Sequence, residues 1–273
     1  MDDVLTHDDA SVTPPGTTGL RAAMARFSDG ADHRRRRAVA ERRLAAIDPA
    51  CLRTRAGELA AVILAPADPV DLMAMVARPI PLTALAEALG ATDAPAAAAA
   101  ARRLALALAP PEGWPASDPL RPAADLARLL GLPADAHGDD VANSVALCFQ
   151  ATDAIAGLIG LTVLAARDDA GAAVDGVLAD GGPVVRTSRW ARRDLHLPSG
   201  TVPAGHEIVV PLAAAGLPFG AGPHRCPGAE HARALACGVV EAVLTSGRRP
   251  APREITYEAR VNLRIPARLI LTR

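Results

Sequence analysis

Cysteine is scarce in this chain of 273 residues, which contains four of them. Cys51, Cys148, Cys226 and Cys237 stand too far apart for the disulfide framework of a small secreted domain or for the paired spacing of a zinc site. Cys148 and Cys237 lie inside apolar helical runs, so we expect them to be core residues. The scarcity of cysteine favours a reducing compartment, and we expect a cytoplasmic protein.

An excess of charge of one sign is also absent. The 29 basic and 30 acidic side chains leave a formal net charge of -1, which gives no indication of a nucleic-acid partner. By sequence, no apolar run reaches membrane-spanning length, and the opening "MDDVLTHDDASVTPPG" is unlike a secretory signal. We therefore expect no membrane partner, a disordered tail over residues 1–18, and a single domain over residues 19–273.

Aromatic residues make up only 2% of the chain, whereas alanine, the best helix former, is abundant. The 24 prolines and 22 glycines mark helix ends, and the composition predicts a mostly α protein. Residues 140–166 are the most apolar stretch and predict a long helix that is buried on nearly all sides. Residues 183–212 and 257–273 carry β-branched alternation and predict a few short strands.

The stretch "LPFGAGPHRCPG", residues 217–228, places Cys226 in a bend of glycines and prolines. Pro227 follows directly and suits the first turn of a helix, so Cys226 is predicted to lie at a helix N-terminus. The helix dipole and free backbone N–H groups there favour a thiolate, which can bind a soft metal. The alternative is a glycine turn around a buried free cysteine.

This stretch resembles the heme-binding signature of the cytochromes P-450. Its five fixed positions are occupied by Phe219, Gly222, His224, Cys226 and Gly228. The resemblance implies a heme b cofactor whose iron is bound by the thiolate of Cys226. It also implies that the other four residues shape the cofactor site.

Heme carries two propionates, which need cationic or hydrogen-bonding partners. In the family these come from a His and an Arg four residues apart on a helix, and "DGADHRRRR" supplies His33 and Arg37. The family's third partner precedes a strand in a pattern that "RWARRD" matches, which implies Arg189, and His224 would be the fourth. The alternative interpretation of "HRRRR" is a solvated basic helix.

The long central helix departs from the family pattern, in which an acid and a threonine help to protonate iron-bound dioxygen. In "FQATDAIAGLIG" the acid position is Asp153, but Ala154 and Ile155 stand where threonine is usual. Thr152 lies one position before the acid. The usual proton relay is therefore predicted to be altered, with Asp153 as the candidate catalytic acid or base.

Two further departures concern the frame around the heme. Gly176 and Ala179 replace the family's Glu-x-x-Arg ion pair, and the chain passes from "IVVPLAAAG" almost directly to "LPFGAG". Barely thirty residues precede the helix with His33, where the family has helices and most of a sheet. We expect an abbreviated P-450-like helical fold in which those N-terminal elements and the meander before the cysteine loop are missing.

These observations predict a heme-thiolate oxidoreductase that oxidises a small natural-product-like substrate as a monooxygenase or with peroxide. One alternative is non-oxygenase chemistry, such as isomerisation or dehydration; another is a non-catalytic P-450-like helper protein. Arg225, His231 and Arg233 are candidates for docking an acidic ferredoxin. The abbreviated frame leaves apolar surface that a homodimer would cover.

Overall fold

Helices dominate the fold. The computed structural model of the protein describes residues 2–65, 68–115, 117–133, 138–166, 168–198 and 200–273. The α-helices in these residues are α1 Asp2–Thr6, α2 Gly19–Ala22, α3 Gly30–Ala45, α4 Pro49–Leu64, α5 Pro79–Ala88, α6 Ala94–Leu108, α7 Leu120–Leu129, α8 Asp139–Ala165, α9 Ala170–Ala179 and α10 Ala229–Thr245. Short 3-10 turns occupy Ala25–Phe27 and Gly222–His224, and a π-helical segment, Met73–Ala77, leads into α5. The prediction of a mostly α protein is confirmed.

The strands are short and form three small antiparallel sheets. They are β1 Ala10–Ser11, β2 Val70–Asp71, β3 Thr187–Ala191, β4 Leu195–Leu197, β5 Gly200–Val202, β6 Glu207–Val210, β7 Arg249–Pro250 and β8 Ile270–Thr272. The sheet orders are β1-β3-β6, β2-β8-β7 and β4-β5. The strands predicted within residues 183–212 and 257–273 are therefore present, and β3 brings Arg189 into register with Ile208 of β6.

Helix α8 runs through the centre of the molecule. Ile155 and Ile159 pack in one hydrophobic cluster, with α4, α5 and α10, whereas Val145 and Phe149 pack in a second, with α6 and α7. By length and composition α8 could cross a membrane, so the expectation that no apolar run reaches that length was wrong. However, 61% of its most apolar window is buried inside the molecule, as the prediction of a buried helix requires.

Helices α4 and α10 pack with their backbones unusually close together. A Cβ atom on Gly238 would lie 2.0 Å from the carbonyl oxygen of Arg53, and one on Gly57 would lie 3.2 Å from the carbonyl oxygen of Gly238. Glycine is therefore needed at this crossing. Because α10 begins just after the cysteine loop, this contact fixes where the loop lies relative to the core.

Helix α1 and strand β1 lie within residues 1–18, the segment for which we expect a disordered tail; residue 1 lies outside the described residues. Strand β1 pairs with β3, with Ala10 opposite Ala191. Leu5 is 3% exposed and packs in a third hydrophobic cluster, with β3 and β6. The apolar residues of this segment can be buried because β3 offers an open edge and a hydrophobic face. The polar composition of the segment itself did not reveal this.

Candidate functional site

The cysteine loop is a compact turn that leads into α10. The amide of Cys226 donates to the carbonyl of Phe219 over 2.9 Å, and Gly220 and Gly222 adopt positive φ angles of 70° and 66°. Gly222 also lies against α1, since a Cβ atom there would meet the Thr6 methyl group at 2.8 Å. Helix α10 begins at Ala229, so Cys226 and its following proline precede the helix and do not form its first turn.

The Cys226 thiol is half-buried. Burial raises its pKa, against the opposing effects of a hydrogen bond from the Gly228 amide and the charges of Arg26 and Arg37. In the ligand-free protein, desolvation therefore opposes the thiolate that the position of the loop before α10 favours. A bound metal ion would supply the missing positive charge and deprotonate the thiol.

Two histidines lie together beside the loop. The ring centroids of His33 and His224 are 3.9 Å apart, and His33 is 4% exposed. Burial and the neighbouring His224 lower the pKa of His33 to about 4, so its ring is neutral near pH 7. The structure thus brings together two residues that are 191 positions apart in the sequence and that the resemblance assigns to one ligand.

Asp29 orients this histidine pair, and sequence reasoning missed it. Its carboxylate lies 3.6 Å from Nε2 of His224 and accepts hydrogen bonds from Ser11, Thr13 and Arg192 at 2.5, 3.1 and 2.8 Å. Burial opposes ionisation of Asp29, but hydrogen bonds with His224, Ser11, the Val12 amide and Arg192 outweigh it and hold the pKa of the carboxyl well below its usual range. The ordered N-terminal segment therefore contributes directly to the site.

Arg37 binds the cysteine loop through its backbone. Its Nη1 donates to the carbonyls of Pro223 and Arg225 over 2.9 and 2.7 Å, and its Nε donates to Glu41 over 2.6 Å. The i, i+4 spacing on α3 explains the bond to Glu41. In this structure protein groups engage most of the donors of Arg37, which limits what remains for a ligand carboxylate.

Arg189 lies inside the molecule with an unused donor. It is 5% exposed, and its Nη1 donates to the carbonyl of Ser188 over 2.9 Å, whereas its buried Nε has no hydrogen-bond partner among the described residues. Burial lowers the pKa of this guanidinium. A buried donor without a partner is costly unless something binds it, so the Nε of Arg189 is available to a bound hydrogen-bond acceptor.

Asp153 takes part in a closed ring of ion pairs that sequence reasoning did not anticipate. Its two carboxylate oxygens bind Arg78 at 3.2 Å and Arg260 at 2.8 Å, and Glu258 pairs with both arginines, with Nε of Arg260 at 3.3 Å. We call these four residues the ion-pair ring. It joins α8 to the segment before α5 and to the C-terminal segment, and a role of Asp153 in proton transfer stays a prediction.

The neighbours of Asp153 on α8 supply no free hydroxyl group. The hydroxyl of Thr152 donates to the carbonyl of Phe149 within the helix, and Ile155 is a buried hydrophobic residue.

On α9, a Cβ atom added to Gly176 would find nothing within 4 Å, so the position of the absent ion pair faces open space. An ion pair between Asp175 and Arg233, at 2.5 Å, joins α9 to α10.

The three residues considered for electron-carrier docking are in different environments. Arg233 is ion-paired with Asp175, and Nε2 of His231 lies 3.1 Å from the carbonyls of both Leu44 and Ile47. Arg225 is exposed and has no carboxylate partner in the part of the chain that the structure describes. It is therefore the one of the three that is free to meet an acidic partner.

The residues around Cys226 fit heme better than a bare metal ion. Within the described ranges no three His, Cys, Asp or Glu side chains converge to hold a metal. An ion bound by Cys226 would thus need most of its ligands from elsewhere, as a porphyrin supplies them. His224 belongs to the loop and His33 packs against it, so carboxylates of such a ligand would find hydrogen-bond partners there. The buried Nε of Arg189 is a further unused donor.

Comparison with known proteins gives structural matches alone: no family model and no curated protein matches the chain. CalO2 has a TM-score of 0.78 at 21% identity, covering 99% of this chain and 88% of that chain. Ligand-free CYP164A2 of Mycobacterium smegmatis has a TM-score of 0.72 at 22% identity, covering 100% and 88%. P450BioI, in complex with an acyl carrier protein ligated with hexadec-9Z-enoic acid, has a TM-score of 0.77 at 17% identity, covering 99% and 89%.

These likenesses extend over nearly the whole chain, and at these identities they establish the fold. The chain therefore has the cytochrome P450 fold, mostly helical with a few short strands. The connection from β6 to the cysteine loop is short, since residues 211–221 alone separate Val210 from the turn at Gly222.

Proposed function

We propose that the protein is a heme-thiolate oxidoreductase that binds heme b through Cys226. One observation carries the proposal: a single half-buried thiol lies in a glycine turn whose His224 packs against the buried His33, within a cytochrome P450 fold. Heme bound through a thiolate supplies the redox chemistry for transferring an oxygen atom to an organic substrate.

The residues of this chain would divide the work of holding the cofactor. Cys226 would bind the iron, while His33, His224 and Arg189 would donate to the heme carboxylates. Arg37 holds the loop backbone, and Asp29 holds the ring of His224. Phe219, Gly222 and Gly228 shape the turn; at Gly228 an added Cβ would make only ordinary contact with Leu44, at 3.6 Å.

The surroundings of Asp153 favour peroxide over dioxygen as the oxidant. Activation of dioxygen requires protons, and neither Ala154 nor Ile155 carries a hydroxyl group to pass them on. The carboxylate of Asp153 is bound by two guanidinium groups. With peroxide, a substrate sulfide and H2O2 give a sulfoxide and water, and the oxidant brings its own protons.

The substrate would be a small organic molecule, and biosynthesis of natural products is the setting we propose. If dioxygen is used, an acidic ferredoxin would deliver electrons at the face that carries Arg225. A homodimer covering apolar surface and a cytoplasmic location also stay proposals. P450BioI was solved in complex with an acyl carrier protein, and this favours a second proposal, that the substrate of this chain is presented on a carrier protein.

Non-oxygenase chemistry is the second candidate function. The absence of a threonine at the two positions after Asp153 favours it, because isomerisation or dehydration at the heme needs no delivery of protons to dioxygen. A non-catalytic helper role is weakened by the intact cysteine turn and its donors.

The test is oxidation of thioanisole by hydrogen peroxide with the hemin-loaded protein, followed by chromatography of the sulfoxide. We expect sulfoxide from the wild type and from Cys51→Ser, whose cysteine is exposed, and little from Cys226→Ser. A protein that binds hemin yet forms no sulfoxide, either with peroxide or with dioxygen and reduced ferredoxin, would overturn the oxidative proposal and favour the non-oxygenase function.

A further inference from the structure

His231 joins the two segments that carry candidate heme-binding residues. It lies in the first turn of α10, which begins just after the cysteine loop. Its Nε2 lies 3.1 Å from the carbonyl oxygens of both Leu44 and Ile47, at and just beyond the end of α3. Helix α3 also carries His33, so this contact connects that helix to the segment that follows Cys226.

These contacts define which nitrogen of the His231 ring carries a hydrogen. A carbonyl oxygen can only accept, so a nitrogen that lies between two carbonyls must be the donor, and Nε2 therefore carries the hydrogen. The carbonyl of Leu44 also accepts from the Ile47 amide over 2.9 Å. Carbonyls at a helix C-terminus lack partners within the helix, and His231 supplies one to the end of α3.

Both ring nitrogens of His231 lie against protein. Nδ1 is buried and has no hydrogen-bond partner among the described residues, while Nε2 is engaged by the two carbonyls. Leu44 and Ile47 are 5% and 7% exposed, and a Cβ atom on Gly228 would lie 3.6 Å from Leu44. The start of α10 is therefore packed against α3, and neither nitrogen is presented to an acidic partner at the surface.

Arg37 makes a second connection between α3 and the cysteine loop. Its Nη1 donates to the carbonyls of Pro223 and Arg225, over 2.9 and 2.7 Å. Arg37 therefore holds the chain before Cys226, and His231 holds it after Cys226. From the rise of an α-helix, the two attachments lie about 10 Å apart along α3. Two separated attachments resist rotation of the loop as well as its displacement from α3.

We propose that His231 is a positioning residue for the heme-thiolate centre, because its Nε2 hydrogen fixes the Cys226 loop against α3. This inference rests on the proposed function, since the position of the thiol affects ligation only if Cys226 binds iron. Without the donor, the two carbonyls lose a partner and the start of α10 can shift away from α3. Thiolate ligation should then weaken although Cys226 itself is unchanged.

The experiment compares His231→Leu, which removes the donor, with His231→Gln, whose amide nitrogen keeps a donor at similar reach. The readouts are the rate at which hemin passes to apomyoglobin and the share of the red-shifted Soret band after reduction under carbon monoxide. For His231→Leu we expect hemin loss about fivefold to tenfold faster, because a hydrogen bond inside the protein is lost, and a smaller share of the red-shifted band.

Two comparisons separate the donor from general effects of substitution. His231→Gln should recover most of the wild-type hemin retention and most of the red-shifted band. His206→Leu, which is the same change at an exposed position, should match the wild type in both readouts.

A separate measurement of the hydrogen position needs no heme. In the ligand-free protein labelled with ¹⁵N-histidine, NMR at about pH 8, where a free histidine side chain is neutral, should show a hydrogen on Nε2 of His231 and none on Nδ1. The spectrum of His231→Gln identifies these signals, since one of the seven histidines is then absent. A hydrogen on Nδ1 in place of Nε2 would overturn the proposal.

Two further results would overturn the inference while the proposed function stands: unchanged hemin loss and Soret band in His231→Leu, or equal losses in His231→Leu and His231→Gln, which would assign the effect to packing. Slower reduction by ferredoxin in both variants, with hemin loss and Soret band unchanged, would assign His231 to carrier docking instead. A wild type that binds no hemin, or that gives no red-shifted band, would overturn the proposed function and this role of His231 together.

Discussion

His33 shows how strongly a buried neighbour can set the ionisation of a side chain. Its ring is buried and lies 3.9 Å from the His224 ring, centroid to centroid and tilted by 39°, so protonation would place a charge in a poorly solvated site. A neutral His33 remains a hydrogen-bond donor, which suits a partner for a carboxylate. In the proposed cofactor site, the ring would therefore bind a carboxylate without adding a positive charge of its own near pH 7.

This ionisation predicts a pH dependence of stability in the ligand-free protein. The pKa of His33 is about 4 in the folded state against 6.5 when unfolded, so the unfolded chain binds the proton more readily. Stability from His33 is complete above pH 6.5 and is lost as the pH falls towards 4, by at most about 3 kcal/mol. Urea unfolding at pH 7 and at pH 4.5 measures this loss.

Two variants isolate the contribution of His33 from that of other acid-sensitive groups. His33→Gln should lose less stability over this pH range than the wild type does, whereas His196→Gln, at an exposed position, should behave like the wild type. An equal acid loss in His33→Gln and the wild type would contradict the account of His33.

At the scale of the elements, the ion-pair ring attaches the C-terminal segment to α8. Arg260 is the most buried member, with 7% of its side chain exposed, and it also donates to the carbonyl of Ala109 over 2.6 Å. Removing one partner of such a ring leaves charges that are buried and unbalanced. The ring should therefore hold the Asp153 carboxylate in one position between Arg78 and Arg260.

The ring predicts a large effect of a single substitution. Arg260→Gln should lower the free energy of unfolding by about 3–5 kcal/mol, because two carboxylates lose a partner inside the protein. Arg103→Gln breaks an exposed pair with Asp125 at 3.8 Å and should change it by less than about 1 kcal/mol. Similar losses in both variants, measured by chemical denaturation, would show that the ring does not stabilise the fold.

The crossing of α4 and α10 gives a second prediction at this scale. Gly238→Ala should lower the free energy of unfolding by about 3 kcal/mol or more, since the new Cβ atom would clash with backbone at 2.0 Å. Gly176→Ala on α9 meets open space and should raise it by about 0.5–1 kcal/mol. A Gly238→Ala protein as stable as the wild type would mean that the helices do not cross this closely.

At the scale of the whole molecule, the fold class, the central helix and the cysteine turn could be predicted from sequence. Helical propensity and apolar runs are local properties of the sequence. The residues of the cysteine turn, from Phe219 to Gly228, are also close together in the sequence, so their pattern can be recognised without the fold. The ion-pair ring could not be predicted, because Asp153 and Glu258 are joined only by the folded chain. The order of the N-terminal segment was likewise hidden, since β1 depends on the distant edge of β3.

Asp29 illustrates the same limit within the site. In the sequence it lies in a turn before the helix that carries His33. In the structure its carboxylate makes no cap hydrogen bond, and it contacts Ser11 and His224, which are distant in the sequence. These contacts exist only in the folded chain, so the sequence alone did not reveal them.

The most direct test of the central claim is the absorption spectrum of the hemin-loaded protein after reduction with dithionite under carbon monoxide. Ligation by Cys226 predicts a strongly red-shifted Soret band in the wild type and in Cys51→Ser, and its loss in Cys226→Ser. A red-shifted band that persists in Cys226→Ser, or a wild-type protein that binds no heme, would contradict the claim that Cys226 is the thiolate ligand of a heme.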